Sequence, residues 1–278
     1  MSRNNADRLG AKDLNTGTPA ASNPSFSFAT PTEFVELPSK GRYYPEGHPL
    51  HNVEEVEIKY MTAKDEDILT SKTLLKKGIV IKRLLSNILV DKSINVDDLY
   101  LGDKNAILIA ARVTGYGEDY EINASCPACQ ATQTCNINLE ELNAYHGDDL
   151  DENMKASEEG TFLITLPISK VNLEVRLMTS RDEDYLMALA ENKRAKRLPE
   201  SNLTDQLTRM MVSVNGDVTP SVISKFVASM PARDSRYLRA NYFKVVPDIQ
   251  MTHLFTCNSC AYTQELGVPL TAEFFWPK

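Results

Sequence analysis

Two CxxC pairs, Cys126-Pro127-Ala128-Cys129 and Cys257-Asn258-Ser259-Cys260, constrain this chain more than any other feature of its sequence. Together they supply four thiolates, a complete tetrahedral ligand set for one zinc ion. With sulfur at all four positions no site remains for a catalytic water, so Cys126, Cys129, Cys257 and Cys260 are expected to hold a structural zinc. A redox pair would sit at a helix N-terminus that lowers a thiol pKa, whereas strand patterns flank both pairs here. The fifth cysteine, Cys135, alternates with Ile137 and reads as an ordinary strand thiol.

Each pair also closes what reads as one copy of an internal repeat. The stretch Val56 to Asp67, alternating and then opening a helix at Thr62 with Asp65-Glu66-Asp67, is echoed 117 residues on by Leu173 to Asp184, with Asp182-Glu183-Asp184 in the same place. Cys126, Cys129, Thr132, Gln133, Ile137 and Leu139 are echoed 131 residues on by Cys257, Cys260, Thr263, Gln264, Val268 and Leu270. Two echoes in the same order point to duplication. The expected fold class is α+β: two pseudo-repeated strand-helix units joined by a split four-cysteine zinc ribbon. The ion would then tie distant parts of the chain together at one point.

Composition divides the chain into five parts. Residues 1–30, rich in Asn, Ser, Thr, Ala and Pro, are expected to be a disordered arm until a partner orders them. Residues 31–52, dense in Pro, Gly and aromatics, suit an extended segment pinned to a surface. The first repeat occupies 53–145, an acidic linker 146–160, and the second repeat 161–278. In the first, Ile81, Leu84, Leu85, Ile88 and Leu89 form one helical stripe after a break at Gly78. A further helix is expected to be capped at Asp103 and stopped by Gly115 and Gly117. In the second, Leu203, Leu207, Met210, Met211 and Val214 read as an amphipathic stripe, with Pro220 and Asp234 opening two later helices. The aromatic end, Phe274 to Trp276, suits packing against the ribbon.

Acidic residues outnumber basic ones 38 to 30, which argues against a general nucleic-acid surface. The basic run Lys193 to Arg197 suits a solvated helix end, and the acidic triplets suit first helical turns whose free N–H groups they cap. No apolar run reaches membrane-spanning length and the start is polar, which predicts a cytosolic protein without membrane contact. His48, His51, His146 and His253 show no HExxH spacing, and no nucleophile-elbow or Walker-type loop occurs. No enzyme is expected. From the residues alone, a zinc-ribbon nucleic-acid-binding or regulatory adaptor stays open beside a protein-docking role.

Phe34 to Arg42, then Met61-Thr62-Ala63-Lys64-Asp65-Glu66-Asp67-Ile68-Leu69, Gly102-Asp103-Lys104-Asn105 and Gly115-Tyr116-Gly117 ahead of the first CxxC, resemble the baseplate proteins of T-even-type contractile-tailed phages. The resemblance runs from about Phe34 to the C-terminus. It implies a non-enzymatic viral protein that assembles the baseplate hub through contacts with other baseplate or hub proteins. It places the chain in the host cytoplasm during assembly, or in the tail baseplate of the virion.

Overall fold

A computed structural model describes residues 30–149, 154–157, 160–268, 270 and 272–275. The arm expected over residues 1–30 lies, Thr30 apart, outside the described residues, as does Trp276. Strands β1 (Thr32–Glu36) and β2 (Glu55–Lys59) form an antiparallel pair with Val35, Val56 and Ile58 turned inward. Helices α1 (Ala63–Thr70), α2 (Lys72–Lys76), α3 (Val80–Ile88) and α4 (Leu101–Tyr116) follow, then the hairpin β3 (Asp119–Ser125) and β4 (Thr132–Asn138). Short strands β5 (Ala144–Tyr145) and β6 (Met154–Ala156) lead into β7 (Thr161–Thr165) and β8 (Asn172–Arg176). The chain continues through α5 (Ser180–Ala195), α6 (Asn202–Met210), β9 (Met211–Val214), α7 (Pro220–Ser229) and α8 (Ala232–Val245). After β10 (Asp248–Ile249) comes a second hairpin, β11 (Thr252–Thr256) and β12 (Thr263–Gly267), and a 3-10 turn at Ala272–Phe275. Helices packed on small antiparallel sheets make the fold α+β.

One core gathers Val35, Val56 and Ile58 with the α3 stripe Val80, Leu84, Leu85 and Ile88 and the buried face of α4. A second lies between the four-stranded sheet β6-β7-β8-β9 and α6, α7 and α8, around Phe162, Leu173, Leu207, Leu238 and Val245. Complete burial of such a side chain contributes roughly 2 kcal/mol. The cores meet along a seam where Ser180 N–H donates to Leu99 O (2.8 Å), Leu101 N–H to Met178 O (3.2 Å), and Lys104 pairs with Glu183. The chain end crosses back to the first core. Phe274 and Phe275 are buried there, Tyr120 meets Phe274 edge-on at 5.0 Å, and the buried Arg112 guanidinium donates to Phe274 O.

Matched features recur at matched places. Thr62 N–H donates to Asp65 (2.9 Å) at the start of α1, and Thr179 N–H to Asp182 (2.9 Å) at the start of α5, so each acidic triplet supplies a capping box. Leu37-Pro38 follows β1 and Leu166-Pro167 follows β7. The turn after each donates to a buried Asp in the first turn of a later helix: Ser39 N–H to Asp103 (3.0 Å) and Ile168 N–H to Asp234 (2.9 Å).

Several boundaries differ from the sequence expectation. Helix α4 begins at Leu101 with Tyr100 as its cap, because the buried Asp103 is held by Ser39 and Tyr44 instead of capping the helix; Gly115 lies inside it. Met211 to Val214 leave the helical stripe and pair with β8, whose edge would otherwise carry unpaired backbone groups. Within the expected linker 146–160, of which 150–153 and 158–159 lie outside the described residues, Met154 is buried and Met154–Ala156 pairs with β7. Residues 31–52 are a strand and tight turns sinking Leu37, Tyr44 and Leu50 into the core, not an extended surface strap.

Gly102 lies where α4 meets the chain entering β10. A Cβ there would stand 2.0 Å from Pro247 O and 2.7 Å from Asp248 Cα, both backbone atoms that cannot swing aside. Gly102→Ala should therefore cost about 3 kcal/mol from overpacking. Chemical denaturation would register this as a lower midpoint at unchanged slope; an unaltered midpoint would refute the contact.

Candidate metal centre

Each CxxC turns over in the same way. In the first hairpin Cys126 N–H donates to Ala131 O (2.9 Å) and Gln130 N–H to Cys126 O (2.8 Å); in the second Cys257 N–H donates to Tyr262 O (2.8 Å) and Ala261 N–H to Cys257 O (2.9 Å). Gln130 (φ 63°) and Ala261 (φ 56°) both take the left-handed conformation after the second cysteine. That conformation costs a non-glycine residue on the order of 1 kcal/mol, and the paired turn bonds hold it in place.

The hairpins face one another so that the four sulfurs converge. All four Sγ atoms lie within 4.8 Å of one another, with Cys126 to Cys260 at 3.7 Å and Cys129 to Cys257 at 3.6 Å. Four sulfurs on a tetrahedron around an ion about 2.3 Å away would be about 3.8 Å apart, so these two cross-hairpin pairs already have the required spacing. Cys126 and Cys257 are buried with Ala124, Cys135 and Phe255, while Cys129 and Cys260 are exposed. The site thus has an apolar floor and an open rim. The donor set, soft thiolates without carboxylate or imidazole, suits a thiophilic ion of tetrahedral preference.

Local electrostatics already favour one thiolate. Backbone N–H groups of Ser259 and then Cys260, with the neighbouring thiols Cys129 and Cys126, outweigh burial and bring the Cys257 thiol down to about 6. Cys260 goes the other way. The Tyr262 N–H favours its ionised form, but the Cys129 sulfur, partial desolvation and the other thiols outweigh it and leave the group pushed up to about 12. Protons shared among crowded sulfurs are what a cation would displace.

Gln133 is the residue that sequence reading did not single out. Its side-chain amide bridges the hairpins, donating to Thr256 O (2.9 Å) and accepting from Asn258 N–H (2.8 Å). The only signal was its place in the echo with Gln264. Cys135 stays out of the sulfur cluster, buried on β4. His51 bonds Tyr44 O, His48 stacks on Tyr44, and His146 bonds Pro38 O, so these histidines serve loop packing. Lys193 to Arg197 falls at the end of α5, with Lys193 paired to Asp205. Neither hairpin carries a Lys or Arg: none occurs from 113 to 154 or from 245 to 277. Among the described residues, no helix is long and apolar enough to cross a membrane.

No curated protein and no solved structure matches the chain. A family profile, T4 bacteriophage base plate protein, matches residues 30–276, a span that takes in both hairpins and both cores. The chain belongs to the T4 bacteriophage base plate protein family.

Proposed function

We propose that this chain is a non-enzymatic assembly factor for the baseplate hub, working in the host cytoplasm through contacts with other baseplate proteins. One structural zinc ion on Cys126, Cys129, Cys257 and Cys260 staples its fold. The observation that carries the role is the family match over residues 30–276. The convergent sulfurs support the zinc. They close a loop between Cys129 and Cys257, 128 positions apart, and leave no ligand position for chemistry.

The two halves, 53–145 and 161–278, are in this reading copies of one unit that share the ribbon. The twin capping boxes, the twin Leu-Pro turns tied to Asp103 and Asp234, and the equivalent left-handed residues Gln130 and Ala261 support it. A nucleic-acid role finds no support at the hairpins, which lack the cations that phosphate contact requires.

Cells infected with a phage lacking the gene should accumulate no complete baseplates, and purified virions should contain the chain only if it stays as a component. Normal tails from the deletion phage would end the assembly reading. Protein purified without chelator should carry one zinc per chain. Four freely titrating thiols and no metal would end the zinc reading while leaving the assembly role standing.

A further inference from the structure

The second half of the molecule contains a template for something the first half lacks. In the four-stranded sheet, β7 is covered on its outer edge by β6, and Lys155 stands directly across from the half-exposed Leu163. On the other side Glu174, opposite Leu163 on β8, is satisfied by Thr161 and by Ser213 of β9. The corresponding pair in the first half is Phe34 on β1 opposite Glu57 on β2. Among the described residues no strand covers the outer edge of β1.

Hydrogen bonds at the ends of this pair, Leu37 N–H to Glu54 O and Tyr60 N–H to Pro31 O, set its phase. Glu33 and Val35 therefore bond to β2, and the backbone groups of Thr32, Phe34 and Glu36 point to the open edge. Phe34 is 65% exposed. On the same outer face lie Glu36, Glu55 and Glu57, with Lys59 the one cation among the two strands. Glu36 and Glu55 are directly paired across the strands, an arrangement of like charges that destabilises a sheet and that His146 Nε2, 3.9 Å from Glu36, offsets only when protonated. A local conflict of this kind, around an exposed aromatic anchor beside an unpaired edge, is what a docking site costs the free protein.

We propose that the outer edge of β1 receives an extended, lysine- or arginine-bearing segment of another protein. That segment would add as an antiparallel strand, setting a cation across from Phe34 as Lys155 lies across from Leu163. The main-chain bonds would be those that β6 makes to β7, and the cations would relieve Glu36, Glu55 and Glu57. This deepens the docking role proposed above by naming the chemistry of the partner, and it is tested on the purified chain, independently of tail formation.

The probe is a synthetic peptide alternating valine and lysine, titrated into the full-length protein, with valine–glutamate and proline-interrupted peptides as controls. The lysine peptide should bind, protect the Phe34 and Glu36 amides from hydrogen exchange, and weaken with salt. Phe34→Ser and the double variant Glu55→Gln with Glu57→Gln should each weaken it about tenfold. Because the double variant removes like-charge repulsion, it should melt no lower than the parent, which separates lost binding from lost folding. Equal binding of the glutamate peptide, or binding that survives these substitutions, would overturn the proposal. So would amides of Phe34 and Glu36 already protected in the free chain, since the chain itself would then fill the edge.

Discussion

Cys257→Ser should lower the thermal midpoint of the full chain by on the order of 10 °C and abolish zinc binding, whereas Cys135→Ser should do neither. Cys257 is buried at the floor of the sulfur cluster and is the thiol its backbone neighbours favour in ionised form. Losing it takes one sulfur from the set proposed to hold zinc, leaves three crowded sulfurs, and unties hairpins whose remaining direct links include the two bonds of Gln133. Cys135 packs in the apolar floor with Ala124 and Phe255 but is not one of the four converging sulfurs, and serine there changes little more than one buried contact. Chelator added to the parent should reproduce the Cys257→Ser midpoint, and added to the variant should have no further effect. A parent indifferent to chelator, with a variant of equal stability, would show that the four thiols hold nothing.

The parts of this protein legible in its sequence are those written in local chemistry. Thiols in CxxC pairs, a Thr followed three residues later by Asp, and a 3.6-residue apolar stripe each announce themselves because few alternatives satisfy the same atoms. The capping boxes at Thr62 and Thr179 and the α3 stripe are of this kind. What stayed hidden depends on partners far along the chain. Met211 to Val214 carry a helical pattern and become a strand because β8 has an edge to fill. Gly102 has no turn to explain it; its reason is Pro247 O, reached only when α4 and β10 meet. Gln133 could be noticed as an echo, but its bridging role appears only when the hairpins face each other.

Asp182 was legible as a helix-capping acid, yet it has a second duty that its counterpart Asp65 lacks. Its side chain is almost wholly buried and accepts two bonds from Arg176 (2.6 and 2.9 Å) and one from Arg209 (2.6 Å) besides the Thr179 N–H. At Asp65 the long-range partner is instead the neutral Asn87 amide. Burial alone would push the Asp182 carboxyl up, but the Arg176 bonds and charge, with Thr179 and Arg209, hold it down at about 2. Asp182→Asn should therefore cost about 3 kcal/mol, by leaving two guanidiniums facing a neutral amide. The figure belongs at the lower end of such losses because both arginines remain about one-third exposed and can hydrate. Asp65→Asn should cost about 1 kcal/mol, the worth of the cap. Since the folded pKa lies below that of an unfolded carboxyl, the ion-pair stabilisation is complete above the ordinary carboxylate range and disappears as pH falls towards 2. Denaturation midpoints measured from pH 5 down to pH 2 should converge for the parent and Asp182→Asn, with the gap closing at the acid end. A gap that stayed constant across that range would mean the variant loses packing and not charge.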